Sequence, residues 1–245
     1  MGKVTERRAV EERAVPLVGR QAEVQALARA LRSRQSRLIL GLSGIGKTRL
    51  LEEALSRHHG PYSLLRAPGV LHELLVRLAG VLRCRTARYP ILRDATSIAL
   101  KGLVLDALKA EPRPVLLEDV ERADPRMYRF LQEVYHRPGN CLIVTARSRD
   151  CLGHLRKLLW DPREEISLKP LTPPECKKLF DAAAERFGLG SLDLEEFRRK
   201  VLLSACGNPG QILEMCRLAA RPEYQYGRHI KFLPLRMDVL PAFVG

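Results

Sequence analysis

Long apolar runs are missing from this chain. No stretch approaches the roughly eighteen apolar residues that a membrane span requires. The first residues, MGKVTERRAVEER, carry too much charge for a secretory signal. No membrane partner is therefore expected, and the expected compartment is the cytoplasm. The six cysteines (Cys84, Cys141, Cys151, Cys176, Cys206 and Cys216) form no CxxC pair and mostly sit in apolar segments. That spacing argues against a structural zinc site and suits small buried thiols in a reducing compartment. Histidines cluster only as His58 and His59, and no catalytic triad is visible. Internal repeats, low-complexity tracts and blocks of five consecutive basic residues are absent too.

What remains is an ordinary globular composition with one anomaly. The 245 residues, 46% hydrophobic and 29% charged, suffice for a sizeable α/β core plus a small second domain. The net charge of +14 makes a polyanionic partner such as nucleic acid plausible through phosphate neutralisation. The excess is spread along the chain, so an arginine-rich proteome explains it equally well.

Periodicity predicts alternating helices and strands. Val24, Leu27, Ala28 and Leu31 mark one face of a helix over 21–33, followed by a strand over 37–40 and a helix over 47–57. A strand over 62–66, an amphipathic helix over 70–82 and a helical stripe from Leu100 to Leu108 come next. Val115–Leu117 reads as a strand, Asp124-Pro125 as a helix start, and Cys141–Val144 and Ile166–Leu168 as two further strands. This is the pattern of a mostly parallel, five-stranded sheet flanked by helices. Thr172-Pro-Pro-Glu175, Asp193 and Pro209 then open three helices of a small helical subdomain. The expected organisation is a core over 1–170, a helical lid over 171–220 and a C-terminal arm over 221–245. Ile230, Phe232 and Leu235 in that arm allow a strand or an extended segment.

Gly41–Thr48, GLSGIGKT, has two glycines, a lysine and a threonine at the offsets of a phosphate-binding loop, between a predicted strand and a predicted helix. Gly44 and Gly46 let backbone amides close on phosphate oxygens, and the helix N-terminus adds partial positive charge. Lys47 is expected to reach the β- and γ-phosphates, and Thr48 to offer its hydroxyl to Mg²⁺. Gly41, Ser43, Gly44, Ile45, Gly46, Lys47, Thr48 and Arg49 are thus candidate ATP-binding residues. The metal also needs an acidic strand end, which Glu118 and Asp119 supply after Val115–Leu117. Glu118 with Thr48 is the candidate metal pair, and Asp119 the candidate group for orienting water. The metal-side position commonly carries Asp and the water-side position Glu. The exchange leaves the shorter carboxylate facing the water, and slow hydrolysis is expected.

LVGRQAEVQALARAL, GLSGIGKTRLLEEAL, LLEDVERAD, LIVTARS and CGNPGQI, spanning Leu17–Ala220, resemble in order the motifs of the AAA+ and STAND ATPases. The resemblance is closest to their initiator-like and regulator ATPase domains. It implies an α/β P-loop NTPase fold with a helical lid, ATP and Mg²⁺ as cofactors, and ATPase activity, which the exchanged acidic pair is expected to make slow. It places Val18, Gly19 and Arg20 beside the adenine, Thr145 and Arg147 as a sensor of the γ-phosphate, and Pro209 of Gly207-Asn208-Pro209 against the base or sugar. For Thr145 a solvated strand end, and for Pro209 a simple helix start, remain open. An arginine finger acting on a second copy would come from Arg156, Lys157 or Arg163, with Arg163 preferred, and would imply ATP-dependent self-association.

The expected role is an ATP-dependent switch in one of two settings. One is a DNA-associated ATPase of the transposition or initiation type, with Arg83, Arg85, Arg88 and Arg93 around Tyr89 as the basic patch. The other is a signalling ATPase that binds a separate effector protein, hydrolyses little and ignores DNA. No winged-helix or helix-turn-helix pattern is evident after residue 220, which argues against sequence-specific reading of DNA. A small-molecule kinase is disfavoured by the lid motif.

Overall fold

The computed structural model describes residues 15–66, 70–84 and 92–243, which divide into two compact units. One holds residues 21–42 and 47–169; the other holds 15–20, 43–46 and 170–243. Among the described residues no helix is long and apolar enough to cross a membrane.

The first unit is an α/β layer structure. Its elements in order are α1 (Gln21–Ser33), β1 (Arg37–Leu40), α2 (Lys47–Ser56), β2 (Ser63–Arg66), α3 (Leu71–Val81), α4 (Ser97–Ala110), β3 (Pro114–Glu118), α5 (Pro125–His136), β4 (Cys141–Ala146) and β5 (Glu165–Ser167). The five strands are all parallel, in the order β2-β3-β4-β1-β5. Every residue of β3 and β4 is buried, as expected for parallel strands covered on both faces. The helices turn apolar stripes to this sheet; α5 contributes Met127, Phe130, Leu131 and Val134. Asp124 starts α5 as its sequence predicts, with Oδ1 accepting the Met127 amide at 2.6 Å and Pro125 at the first helical position.

The second unit is helical: α6 (Pro173–Arg186), α7 (Leu194–Ala205), α8 (Pro209–Ala219), a two-stranded hairpin of β6 (Gln225–Tyr226) and β7 (His229–Ile230), and α9 (Phe232–Val239). At the start of α6 the Thr172 amide donates to Glu175 Oε2 at 2.7 Å, the reciprocal half of a capping box. Phe180, Phe197 and Phe232 form a chain of ring contacts, with centroid spacings of 5.8 and 6.3 Å.

The segment after residue 220 differs from its sequence reading. It forms a hairpin and a helix whose Leu235 and Val239, four apart, are buried among the residues of α6–α8. Pro234 concealed that helix, yet it falls in the first turn, where no intrahelical amide bond is lost.

Candidate functional site

Parallel strands bring their C-terminal ends to one edge of the sheet, the edge where α/β folds place ligands. Here β4 lies between β1 and β3, pairing Ile39 with Thr145 on one side and Leu117 with Val144 on the other. That order gathers Lys47, Thr48, Glu118, Asp119 and Thr145 at the same edge of the α/β unit.

Lys47 opens α2 and is only 8% exposed. Its ammonium donates to the Gly41 carbonyl at 2.8 Å and the Leu42 carbonyl at 3.2 Å, and lies 3.7 Å from Asp119 Oδ1. Burial pulls its pKa below the ordinary lysine value, with Asp119 opposing that shift and Arg147 adding to it. A buried cation at a strand end, held by carbonyls and one exposed carboxylate, is prepared to take an anion.

Glu118 ends β3 and is buried. Desolvation raises its pKa, while a hydrogen bond from the Thr48 side chain and the charge of Arg66 lower it. Arg66 Nε stands 3.9 Å from Oε2, whereas the buried Oε1 has no hydrogen-bond partner. An orphaned buried carboxylate oxygen is costly. With the neighbouring threonine hydroxyl it offers two of the six oxygens of the octahedral set that Mg²⁺ prefers, the remainder being water and phosphate oxygens. These residues fit a magnesium ion.

Asp119, the next residue, adopts the left-handed conformation, φ 49°, and is mostly exposed. Its amide donates to Thr145 Oγ1 at 2.9 Å. Thr145 is almost fully buried and its carbonyl accepts the Val120 amide at 2.9 Å. Arg147, two residues on, faces Glu121 at 3.9 Å.

In the helical unit, the Ser43–Gly46 turn meets the start of α8. Asn208 Nδ2 donates to the Ser43 carbonyl at 2.8 Å, and the Gly210 amide to the Gly44 carbonyl at 2.9 Å. Gly44 and Gly46 have φ of 75° and 102°, which only glycine adopts readily. Pro209 approaches to 4.0 Å of the position a Cβ would take on Gly46. Ile45 is fully buried. Val18 packs on the apolar core of this unit, Arg20 is buried, and Gly19, at φ 68°, leaves room for the Glu175 carboxylate. The Arg20 charge helps to hold the Glu175 pKa low, behind the larger effect of Thr172.

Two candidates stand apart. Arg49 pairs with Glu52 at 3.3 Å on the surface of α2. Arg163 is exposed just before β5, beside Asp161 at 3.3 Å and at the opposite end of the sheet from Lys47. In the basic patch Arg83 closes α3 with φ 55° and Arg93 lies in a short 3-10 turn, whereas Arg85, Arg88 and Tyr89 lie outside the described residues.

No protein-family profile matches the sequence, and no curated protein matches it. Solved structures do. The ORC1 protein of Aeropyrum pernix, solved in complex with DNA, superposes with a TM-score of 0.65 at 16% identity, over 93% of this chain and 66% of that one. The ORC2 protein of the same organism, in ADPNP-ADP complexes, gives 0.57 at 18% identity, over 97% of this chain and 72% of that one. A STAND protein of Pyrococcus horikoshii with a tetratricopeptide repeat sensor gives 0.53 at 19% identity, over 95% of this chain. The fold is that of the AAA+ and STAND P-loop ATPases. The chain spans about two thirds of the length of ORC1 and about a third of the STAND protein.

Within this P-loop fold, two contacts escaped the sequence reading. The Asn208 side chain reaches the Ser43 carbonyl, although GNP predicts only a helix start or a proline contact. The Asp119 amide bonds to the Thr145 hydroxyl, which no local pattern announces.

Proposed function

We propose that the chain binds ATP with Mg²⁺ at Gly41–Thr48, hydrolyses it slowly and works as a nucleotide-dependent switch. The observation that carries this reading is the buried Lys47 ammonium at the C-terminal edge of the sheet, beside Thr48 and the orphaned oxygen of Glu118. Lys47 would hold the β- and γ-phosphates, and Thr48 with Glu118 would hold the metal, which neutralises charge on the transferring phosphoryl group. Asp119 would orient the attacking water. Its carboxylate is one methylene shorter than glutamate and lies near Lys47, which supports slow turnover. Thr145 and Arg147 serve as the sensor of the γ-phosphate. Val18, Gly19, Arg20 and Pro209 serve the base and sugar. Titration of the protein with ATP and GTP, with and without Mg²⁺, tests the reading: tight, metal-dependent binding of ATP is expected, and its absence refutes the site.

For the partner, the net charge of +14 and the ORC1–DNA relative favour association with DNA. Duplex retardation that needs ATP and weakens with salt supports this setting. A chain indifferent to DNA that copurifies with an effector protein supports the signalling setting, to which the STAND relative points. Arg163 is the candidate finger for a second copy, and a rise in mass by light scattering on adding MgATP, lost in Arg163→Ala, tests it.

A further inference from the structure

The segment after α9 returns to the phosphate loop. Leu240–Ala242 make a 3-10 turn, the Phe243 amide donates to the Leu240 carbonyl at 3.0 Å, and the Phe243 side chain packs against the apolar core of the helical unit. The edge of its ring rests on two glycines. A Cβ built on Gly44 would lie 2.6 Å from ring carbon Cδ1, and one built on Gly210 would lie 2.9 Å from Cε1. Carbon atoms do not approach so closely, so the ring fills space that exists only because both positions lack a side chain. Gly44 also needs its glycine for a φ of 75°. Gly210 does not: it lies in α8 without a positive φ, and close approach is what its missing side chain serves.

The same face of the turn carries the polar contacts from Asn208 and Gly210 to the Ser43 and Gly44 carbonyls. In a planar trans peptide the carbonyl and the following N–H point in opposite directions. Drawing the Ser43 and Gly44 carbonyls toward α8 therefore aims the Gly44 and Ile45 amides away from it. Asn208 Oδ1, 2.8 Å from the Cβ position of Gly44, stands on the ring's side of the turn. The Phe243 ring and Asn208 crowd the face to which the carbonyls turn, so the amides point from the opposite one, the orientation an anion-binding nest requires.

We propose that Phe243 is a positioning residue of the phosphate loop. Seated on Gly44 and Gly210, it holds the two loop carbonyls against Asn208 and α8, and so keeps the opposite amides directed at the phosphates before nucleotide arrives. Preorganisation of this kind raises affinity without adding a contact to the ligand. The inference rests on the reading of this loop as a nucleotide site.

The test is equilibrium titration of the full chain with a fluorescent N-methylanthraniloyl ADP and Mg²⁺, comparing wild type, Phe243→Ala, Phe243→Leu and Gly210→Ala. Phe243→Ala is expected to weaken binding about tenfold, and Phe243→Leu, which refills most of the space, to recover most of that loss. Gly210→Ala places a methyl group where Gly44 and the ring meet, and is expected to weaken binding by a similar factor. Its melting temperature should fall by a few degrees, because the methyl group would lie 2.8 Å from the Gly44 Cα and carbonyl oxygen, a crowding that outweighs the gain in helix preference. If Phe243→Ala fails to fold, Gly210→Ala decides. Binding by both variants within about twofold of wild type overturns the proposal while leaving the nucleotide site intact. A wild-type protein that binds no nucleotide overturns the site itself, and the proposal with it.

Discussion

The Asp119 amide donates to the Thr145 hydroxyl at 2.9 Å, and the Val120 amide to the Thr145 carbonyl at the same distance. One residue at the end of β4 thus holds both peptide groups that follow β3, and with them the left-handed conformation of Asp119. Such a conformation is strained for a residue with a Cβ and persists only where its surroundings impose it. Through this bond the position of β4 governs where the Asp119 carboxylate stands relative to Lys47.

Thr145→Val keeps the shape of the side chain and removes the acceptor. Loss of one hydrogen bond should cost about 1 kcal/mol of stability, a few degrees in melting temperature. Asp119 should then leave its present position, so ATP turnover is expected to fall at least about tenfold while nucleotide affinity changes less than about threefold. Turnover and affinity falling together would show that Thr145 acts on binding instead.

Lys47→Ala removes the buried cation that the carbonyls of Gly41 and Leu42 now hold. Charge-assisted bonds to phosphate are among the stronger polar contacts. ATP affinity should drop by roughly a hundredfold, equivalent to about 2.7 kcal/mol. Calorimetric titration measures it, and a variant of unchanged affinity would remove Lys47 from the site.

Exchanging the acidic pair, Glu118→Asp with Asp119→Glu, restores the commoner order of carboxylates. The longer side chain at 119 should reach further toward the attacking water, and phosphate release under saturating MgATP should rise by about tenfold. No rise would mean that the order of the pair does not limit turnover. Glu118→Gln should instead raise the Mg²⁺ concentration needed for half-maximal nucleotide binding, since it neutralises the carboxylate beside Thr48.

Alkaline pH should destabilise the fold. Burial pushes the Cys216 thiol up to about 12 and the Cys141 thiol up to about 11, from an ordinary value of 9.0. Burial, with Glu164 as hydrogen-bond partner, takes the Tyr135 hydroxyl to about 12. Each group has a folded pKa above its unfolded one, so its contribution is complete below the unfolded value and is lost as pH climbs from there toward the folded value. The urea midpoint should fall between about pH 8 and about pH 10.5, and Cys216→Ala should lessen the fall. A midpoint equal at both pH values would contradict the burial of these groups.

Much of this was legible in the chain itself. Apolar periodicity located β1, β4 and α1, because a buried strand or helix face must be apolar wherever it packs. Asp124-Pro125 and Thr172-Pro-Pro-Glu175 announced helix starts, because capping is a contact between near neighbours. GLSGIGKT declared the phosphate loop, because glycine conformation and a lysine at fixed offset are local requirements. The helix at Phe232–Val239 was hidden by Pro234, since its stability comes from burying Leu235 and Val239 among distant residues rather than from local preference.

The sequence alone therefore determined the loop, the acidic pair with its exchanged order and the class of fold, all of which depend on short-range pattern. Only the tertiary structure decided that β4 lies between β1 and β3, that Thr145 consequently grips Asp119, and that Phe243 rests on Gly44. Strand order and the meeting of residues remote in the chain are set by how whole surfaces bury one another. No local spacing records that outcome.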